Sequence, residues 1–156
     1  MSPTNAIRLL KAKKIEPVLL EYTYSEDDLS VEKIAKDNDL PVEQIFKTLV
    51  AKGDKTGVVV AVIAGNQSLN MKALAKASGN KKIALVPVKD IQALTGYVRG
   101  GCSPIGMKKN FPVFIDISAS NFEKIYVNAG TRGWLMGVEP RVLTDLCQAD
   151  LVSIGE

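Results

Sequence analysis

Two mainly apolar runs in the first half of the chain constrain the fold more than any other feature. Val58–Ile63 consists almost entirely of valine and isoleucine, and Phe46–Ala51 contains phenylalanine, threonine, leucine and valine; both compositions are typical of strands. The five residues Gly53-Asp54-Lys55-Thr56-Gly57 between them are turn formers. Two strands joined by so short a turn must run antiparallel, so the sequence predicts a β-hairpin here.

Helix signals alternate with further strand signals along the rest of the chain. Polar residues suited to cap a helix precede three stretches with helical spacing: Thr4 or Asn5, Ser30 and Asn70. Further strands are expected at Pro17–Tyr24, Ile83–Val86, Val113–Ile117, Lys124–Val127 and Trp134–Val138, and further helical turns at Pro41–Ile45, Val88–Leu94 and Pro140–Cys147. Many short strands mixed with helices predict an α+β fold with a curved or closed sheet. Because no repeat or linker interrupts the chain, we expect residues 1–156 to form one domain.

The chain contains no histidine, which excludes many catalytic arrangements. A Ser-His-Asp triad, a Cys-His pair, a histidine general base and a histidine-containing zinc site all need that side chain. The two cysteines, Cys102 and Cys147, are isolated and lack the spacing of a cysteine-rich metal site. We therefore expect no metal and no cofactor. Any catalysis must come from lysine, tyrosine, carboxylates, hydroxyls, backbone amides or the substrate itself.

The charge and hydropathy of the chain bound its partners and its location. A formal net charge of +3 permits a nucleic-acid partner without requiring one, and an RNA contact would need a local basic patch. No stretch approaches the roughly 18 apolar residues of a membrane span. The segment Met1–Asn5 does not resemble a secretion signal. These features indicate a cytoplasmic protein with no membrane partner. The acidic run Glu26–Asp28 is expected to be a loop.

A glycine-rich segment around Gly100 and Gly101 is the first candidate site. Adjacent glycines allow positive φ angles and a close approach of another molecule, and their N–H groups can converge on an anion. Positively charged side chains lie nearby in the sequence: Arg99, Lys108 and Lys109. The alternative is an ordinary Gly/Pro surface loop. The segment matches neither a Walker loop nor a dinucleotide fingerprint, so it does not imply a nucleotide cofactor.

The segment Tyr126–Gly133 is the second candidate site. A strand runs into a tight turn in which Arg132 is flanked by glycines, where it could hold a phosphate or carboxylate. The alternative is an ordinary hairpin with an exposed arginine.

Lys47, at the start of the first hairpin strand, is the third candidate. Its apolar neighbours could desolvate the ammonium group, which would then donate hydrogen bonds to a carbonyl or phosphate oxygen. The alternative is a lysine whose ammonium group reaches solvent past the strand edge. Tyr22 and Tyr24 are expected on one face of the first strand, where either could line a pocket or simply pack. Cys102 is expected to be a small pocket residue, because no base is present to activate it.

In combination, three segments resemble the YbaK family, which is similar to the editing domain inserted in bacterial prolyl-tRNA synthetases. The segments are Phe46–Leu49, Gly96–Gly106 and Tyr126–Gly133, and their order and approximate spacing match over nearly the whole chain. Gly-Gly-x-Ser-Pro-x-Gly followed by Gly-x-Arg-Gly is the most specific part. The resemblance implies a mixed, barrel-like sheet surrounded by helices. It also implies a cytoplasmic enzyme that deacylates Cys-tRNA(Pro), binding the acceptor end of the aminoacyl-tRNA, with prolyl-tRNA synthetase as a further partner.

The resemblance also implies the site residues. The catalytic lysine is Lys47 and the pocket tyrosine is Tyr22, with Tyr24 as the alternative. The other implied substrate-binding residues lie in the two glycine-containing loops: Gly100, Gly101, Ser103, Pro104, Asn128, Gly130, Arg132 and Gly133. Members of the family often carry serine where this chain has Asn128, and an amide can also form a hydrogen bond there. Cys102 replaces a residue that is commonly aliphatic.

A chain without an activated nucleophile can still cleave a cysteinyl ester, because the substrate carries a thiol. Intramolecular attack of that thiol on its own carbonyl would release a thiolactone and free tRNA. Backbone N–H groups of Gly100 and Gly101 could stabilise the oxyanion, while Lys47 adds positive charge or holds the terminal ribose. The alternatives are hydrolytic editing of Ala-tRNA(Pro) or another small aminoacyl-tRNA, and a non-catalytic module that binds tRNA or a synthetase.

Overall fold

The computed structural model describes residues 1–24 and 30–156, which contain eight strands, five α-helices and two short 3-10 helices. The helices are α1 (Asn5–Ala12), α2 (Val31–Asp37), α3 (Met71–Ser78), α4 (Val88–Thr95) and α5 (Pro140–Cys147). The strands are β1 (Val18–Glu21), β2 (Phe46–Gly53), β3 (Gly57–Ala64), β4 (Ile83–Leu85), β5 (Val113–Asp116), β6 (Ile125–Asn128), β7 (Trp134–Val138) and β8 (Asp150–Val152). The acidic run Glu26–Asp28, expected to form a loop, lies outside the described residues.

Three helices begin where the sequence predicts a cap. The side chain of Thr4 accepts the N–H of Ile7 at 3.3 Å, and that of Asn70 accepts the N–H of Ala73 at 3.0 Å. Ser30 caps α2 in the same way. These side chains replace backbone acceptors that the first turn of a helix lacks. The helical turn expected at Pro41–Ile45 is confirmed as a short 3-10 helix at Val42–Gln44. No helix in the described ranges is long and apolar enough to cross a membrane.

The strands form two sheets. The predicted hairpin of β2 and β3 is confirmed, with Phe46 opposite Ala64 and Gly53 opposite Gly57. It lies in a five-stranded sheet of order β4-β2-β3-β5-β8, in which β5 and β8 are parallel to their neighbours. The second sheet, of order β1-β7-β6, is antiparallel. An isolated bridge between Ile45 and Tyr126 links the two.

The α+β class is confirmed, but the sheet does not close into the expected barrel. Within the described residues, β4 pairs with only the last residues of β2, Ala51–Gly53. One further hydrogen bond, from the Val86 N–H to the Val50 carbonyl oxygen (3.0 Å), extends this contact. The first half of β2 therefore keeps an open edge. Since alternate residues of a strand direct their backbone groups to the same edge, the N–H and C=O of Thr48 face this opening.

The hairpin separates two apolar clusters, as the alternation of a strand requires. One face of β2 and β3, including Phe46 and Val62, packs against α1, β6 and β7. The other face, including Ile63, packs against Leu74 of α3. Val59 to Ile63 are fully buried, which explains why their sequence is a continuous apolar run. The open edge of β2 thus belongs to a hairpin that is packed on both faces.

Candidate functional site

A cleft of about 300 Å³ lies beside the open half of β2. Segments far apart in the sequence form its walls: Tyr22–Tyr24 after β1, Ile45–Leu49 at the start of β2, the glycine loop at Arg99, Gly100 and Cys102, and Asn128 at the end of β6. Val31, Lys33 and Ile34 of α2 complete it, together with Leu135 of β7. The three motifs singled out in the sequence therefore meet at one place.

Asn128 ties the two glycine-containing loops together. Its Nδ2 donates to the carbonyl oxygen of Gly100 at 2.7 Å, and its Oδ1 accepts the N–H of Gly130 at 2.8 Å. A serine hydroxyl is a single short group, whereas the amide offers a donor and an acceptor on separate atoms. The Asn128 amide thus holds the loop of Gly100 against the turn that contains Gly130.

Tyr22 rather than Tyr24 joins this network. The Tyr22 hydroxyl donates to the Gly100 carbonyl oxygen, and Asn128 Nδ2 approaches the same hydroxyl, both at 3.4 Å. These distances are long, so the hydroxyl is weakly held. β1 ends at Glu21, so both tyrosines follow the strand instead of lying within it. The Tyr22 N–H still donates to the Gly133 carbonyl oxygen at 2.8 Å, and beyond this bond the chain leaves the sheet.

Lys47 lines the cleft with a half-buried side chain. Its Nζ donates to the carbonyl oxygen of Gly65 at 3.1 Å. An ammonium group has three N–H donors, so two remain for a ligand. In the described part of the chain, the one ion pair joins Lys33 to Asp37, and no carboxylate lines the cleft. Lys47 is therefore a cation placed to meet an oxygen atom of a bound molecule.

Arg132 stands at the rim and braces the glycine loop. Its Nε donates to the carbonyl oxygen of Arg99 at 2.8 Å, and its guanidinium carbon lies 5.0 Å from the centre of the Tyr24 ring. That distance is suited to a cation–π contact. The structure thus places Arg132 beside the cleft but outside the residues that line it. Its exposed terminal N–H groups still leave it able to contact a phosphate.

The backbone of the glycine loop offers fewer free donors than the sequence suggested. The Gly101 N–H donates to the carbonyl oxygen of Val98 at 2.9 Å, so this donor is already occupied within a turn. A Cβ atom at Gly101 would lie 3.2 Å from the backbone nitrogen of Arg132, which explains the need for glycine. Gly100 has a φ of +82° and is exposed in the cleft. Of the two amides expected to stabilise an oxyanion, the Gly100 N–H is the one without an acceptor among the described residues.

Ser103 and Pro104 lie beneath the loop instead of in the cleft. Both are buried; the Ser103 hydroxyl accepts the N–H of Ile105 at 3.3 Å, and the Pro104 carbonyl oxygen accepts the Cys147 thiol at 3.3 Å. The Pro104 contact joins the loop to α5, and the Ser103 contact lies within the loop itself. Ser103 and Pro104 would therefore affect a substrate in the cleft by positioning the loop, and not by direct contact.

Gly130 and Gly133 shape the second loop. Gly130 has a φ of +99°, and a Cβ there would lie 2.9 Å from the Cβ of Thr4. Gly133 has a φ of +91°. Both conformations strongly favour glycine, so these residues set the path of the chain around Asn128.

Cys102 lines the cleft but is not activated. Burial raises the pKa of its thiol to about 11, so the thiol stays protonated at neutral pH. It is a small lining residue, in keeping with the absence of any histidine from the sequence.

Two features of the cleft were missed in the sequence. One is the wall supplied by α2. The other is Thr48, whose Oγ1 is buried without a hydrogen-bond partner among the described residues. The sequence did contain a signal for Thr48. Its hydroxyl lies on the same face of β2 as the apolar side chains of Phe46 and Val50, where a polar group is unexpected.

Comparison with known proteins identifies the family. Residues 26–146 match the aminoacyl-tRNA editing domain, and the chain belongs to that family, as its three motifs predicted. It is 47% identical over 151 residues to EbsC of Enterococcus faecalis, named as a candidate Cys-tRNA(Pro)/Cys-tRNA(Cys) deacylase; the match covers 97% of this chain and 92% of EbsC. It is 29% identical over 119 residues to a proline–tRNA ligase of Sulfurihydrogenibium sp., covering 76% of this chain but only 21% of the ligase.

Solved structures share the fold. A candidate trans-editing enzyme for prolyl tRNA synthetase superposes with a TM-score of 0.84 at 22% identity, covering 100% of this chain and 99% of that one. The hypothetical protein APE2540 gives a TM-score of 0.88 at 24% identity, covering 98% and 100%. At these identities the likeness concerns the fold alone.

Proposed function

We propose that this chain is an aminoacyl-tRNA deacylase, a single editing domain over residues 1–156, that removes cysteine from Cys-tRNA(Pro) in the cytoplasm. One observation carries the proposal: in a member of an editing family, Lys47, Tyr22, Asn128 and the loop of Gly100 meet at a cleft that no described carboxylate lines. The relative EbsC, named for deacylation of Cys-tRNA(Pro) and Cys-tRNA(Cys), supports the substrate class. The likeness to a segment of a proline–tRNA ligase supports prolyl-tRNA synthetase as a partner.

The size and charge of the cleft suit the acceptor end of such a tRNA. About 300 Å³ is at the small end of ligand sites, which favours a small aminoacyl group. Lys47 and Arg99 supply positive charge in its walls, whereas the ammonium group of Lys33 is paired with Asp37. An RNA end, which brings phosphates with its ester, is attracted to such a site.

The substrate thiol supplies the nucleophile in this proposal. Its sulfur forms a bond to the ester carbonyl carbon, the bond from that carbon to the ribose oxygen breaks, and the thiol proton leaves to solvent while the ribose oxygen gains one. The products are a cysteine thiolactone and free tRNA. Holding the thiol and carbonyl together lowers the entropic cost of the step, which replaces an enzyme nucleophile.

The protein groups then have two tasks. Lys47, with two ammonium N–H donors left beside the cleft, supports the oxyanion or the terminal ribose hydroxyl. The free Gly100 N–H is the backbone donor suited to the same oxyanion, since Gly101 uses its own N–H within the loop. Asn128 and Tyr22 keep Gly100 in place.

Hydrolysis of Ala-tRNA(Pro) is the competing function, because a cleft that admits cysteine also admits alanine. The released product distinguishes the two reactions. Purified protein should be incubated with Cys-, Ala-, Ser- and Pro-tRNA(Pro), and the products identified by mass spectrometry after subtracting spontaneous hydrolysis. We expect selective loss of the cysteinyl ester. Selective loss of the alanyl ester with free alanine would favour the hydrolase, and no cleavage of any ester would favour a binding module.

A further inference from the structure

A second and larger groove lies at the far end of β2, between α3, β4 and α4. Its volume is about 1080 Å³ and most of its lining is apolar. Four lysines line it, Lys52, Lys72, Lys81 and Lys82, against two carboxylates, Asp54 and Asp90. We call this hollow the lysine groove. None of the roles described above uses it.

A third hollow adjoins both the lysine groove and the cleft. Its volume is about 260 Å³. It shares Leu85 and Val86 with the lysine groove, and it shares Thr48, Leu49, Arg99, Gly100 and Cys102 with the cleft. One surface path thus runs from Lys47 along the edges of β2 and β4 to the four lysines.

The charge of the lysine groove is not neutralised by contacts. The only ion pair among the described residues, Lys33–Asp37, lies elsewhere. Asp54 directs its Oδ1 to the backbone N–H groups of Lys81 (3.0 Å) and Lys82 (3.1 Å), not to their ammonium groups. Lys52, Lys72, Lys81 and Lys82 are therefore free to meet the phosphates of a nucleic acid, and their number exceeds that of the carboxylates.

The connecting stretch is apolar and unusually exposed. Leu85 is 52% exposed and Val88 is 54% exposed, although both are large apolar side chains. The flat faces of unpaired bases are largely apolar, and packing them on such side chains removes apolar surface of both partners from water. Along the surface from the cleft, this apolar stretch comes first and the four lysines come second. In an RNA end the unpaired bases come first and the phosphates of the duplex come second, so the two orders match.

The length of the path also suits an acceptor end. From Thr48 to Lys52 the strand advances about 13 Å, at roughly 3.3 Å per residue. A stacked nucleic-acid strand advances about 3.4 Å per nucleotide, so this distance corresponds to about four nucleotides. A tRNA ends in a comparable unpaired stretch, the CCA sequence and the base before it.

We propose that the lysine groove binds backbone phosphates of the tRNA acceptor stem, while the unpaired 3′ end crosses Leu85 and Val88 to reach the cleft. This inference rests on the proposed function, because it assigns the path of that same substrate. Binding would position the ester and raise affinity without contacting the reacting atoms.

The test compares two double variants with equal loss of charge. The groove variant, Lys81→Gln with Lys82→Gln, removes two lysines of the lysine groove. The α1 variant, Lys11→Gln with Lys13→Gln, removes two exposed lysines at the end of α1 that line neither the lysine groove nor the connecting hollow. Each is assayed on whole Cys-tRNA(Pro) and on 3′-O-cysteinyl-adenosine, an ester too short to reach the lysine groove. Thermal melting checks that both variants fold, and Lys72→Gln replaces the groove variant if it does not.

We expect kcat/KM on tRNA, divided by kcat/KM on the short ester, to fall roughly tenfold in the groove variant and to stay at the wild-type value in the α1 variant. The slope of log affinity against log salt should become shallower by about 1.5, because each lost phosphate contact contributes about 0.7–0.9. Equal ratios and equal salt slopes in the two variants would overturn the proposal. Filter binding of uncharged tRNA compares the same variants without turnover. If the wild-type protein cleaves neither ester, the proposed function is refuted, and filter binding still shows whether the lysine groove binds tRNA.

Discussion

Lys47→Ala should abolish most deacylation while leaving the protein folded. Among the described residues, the Lys47 ammonium makes one hydrogen bond, to the Gly65 carbonyl oxygen at 3.1 Å, and no ion pair. Losing such a bond costs about 1 kcal/mol of stability, which lowers the Tm by about 2–4 °C for a chain of this size. Losing a group that stabilises developing charge costs about 10²–10³ in rate. The catalytic effect should therefore far exceed the structural one.

The assay is single-turnover deacylation with enzyme in excess over Cys-tRNA(Pro), which separates the chemical step from tRNA release. Lys13→Ala removes an exposed lysine that lines neither the cleft nor the lysine groove; it is the matched control and should keep the wild-type rate. Lys47→Arg keeps the charge but changes the donor geometry, and partial activity is expected from it. A rate for Lys47→Ala within threefold of wild type would remove Lys47 from the chemistry. A Tm loss above about 10 °C would show that its role is structural.

Three further predictions follow from the same geometry. Cys102→Ser should retain most activity, because burial raises the pKa of its thiol to about 11; a covalent adduct trapped on Cys102 would contradict this. EDTA should leave activity unchanged once the magnesium that folds the tRNA is controlled, because the sequence has no histidine and no cysteine pair for zinc; loss of activity restored by Zn²⁺ would show otherwise. Asp116→Asn should lower the free energy of unfolding by about 3 kcal/mol, because the buried carboxylate accepts four N–H groups, those of Gln67, Ser118, Ile154 and Gly155. Burial opposes ionisation of Asp116, but the hydrogen bonds to its carboxylate prevail and lower its pKa. The stability that these bonds provide is therefore present at neutral pH and is lost as the pH falls below the ordinary pKa of 3.8. An unchanged melting curve of Asp116→Asn at pH 7 would refute the assignment.

Local signals explain why much of the fold could be predicted. Thr4, Ser30 and Asn70 cap their helices through contacts within three residues, so the sequence alone contains the information. The same is true of the β2–β3 hairpin and its turn. Closure of a sheet depends instead on strands distant in sequence, and the short β4, which pairs with only the end of β2, could not be foreseen.

The candidate site was predictable where the chemistry of a residue is distinctive. Lys47, Tyr22 and Asn128 do meet at one cleft. The use of the Gly101 N–H within its own turn and the burial of Ser103 depend on how the loop folds over the core, which no spacing of glycines reveals. The lysine groove was likewise hidden, because its lysines come from β2, α3 and the segment before β4, and the sequence shows no continuous basic run.

The most direct test of the account concerns the sulfur of the substrate. Cysteinyl-, seryl- and S-methylcysteinyl-tRNA(Pro) should be compared at several pH values, with spontaneous hydrolysis subtracted and the first released species identified by mass spectrometry. Serine is nearly isosteric with cysteine, so the shape of a cleft discriminates poorly between them, whereas a thiol of pKa about 8.5 is a few per cent thiolate at neutral pH and a hydroxyl is essentially never ionised. We predict a thiolactone as the first product, a cysteinyl rate that rises with pH through the ionisation of the thiol, slow cleavage of the seryl ester and none of the S-methyl ester. Free cysteine as the first product, or rapid cleavage of the S-methyl ester, would contradict attack by the substrate thiol and show that water is the nucleophile.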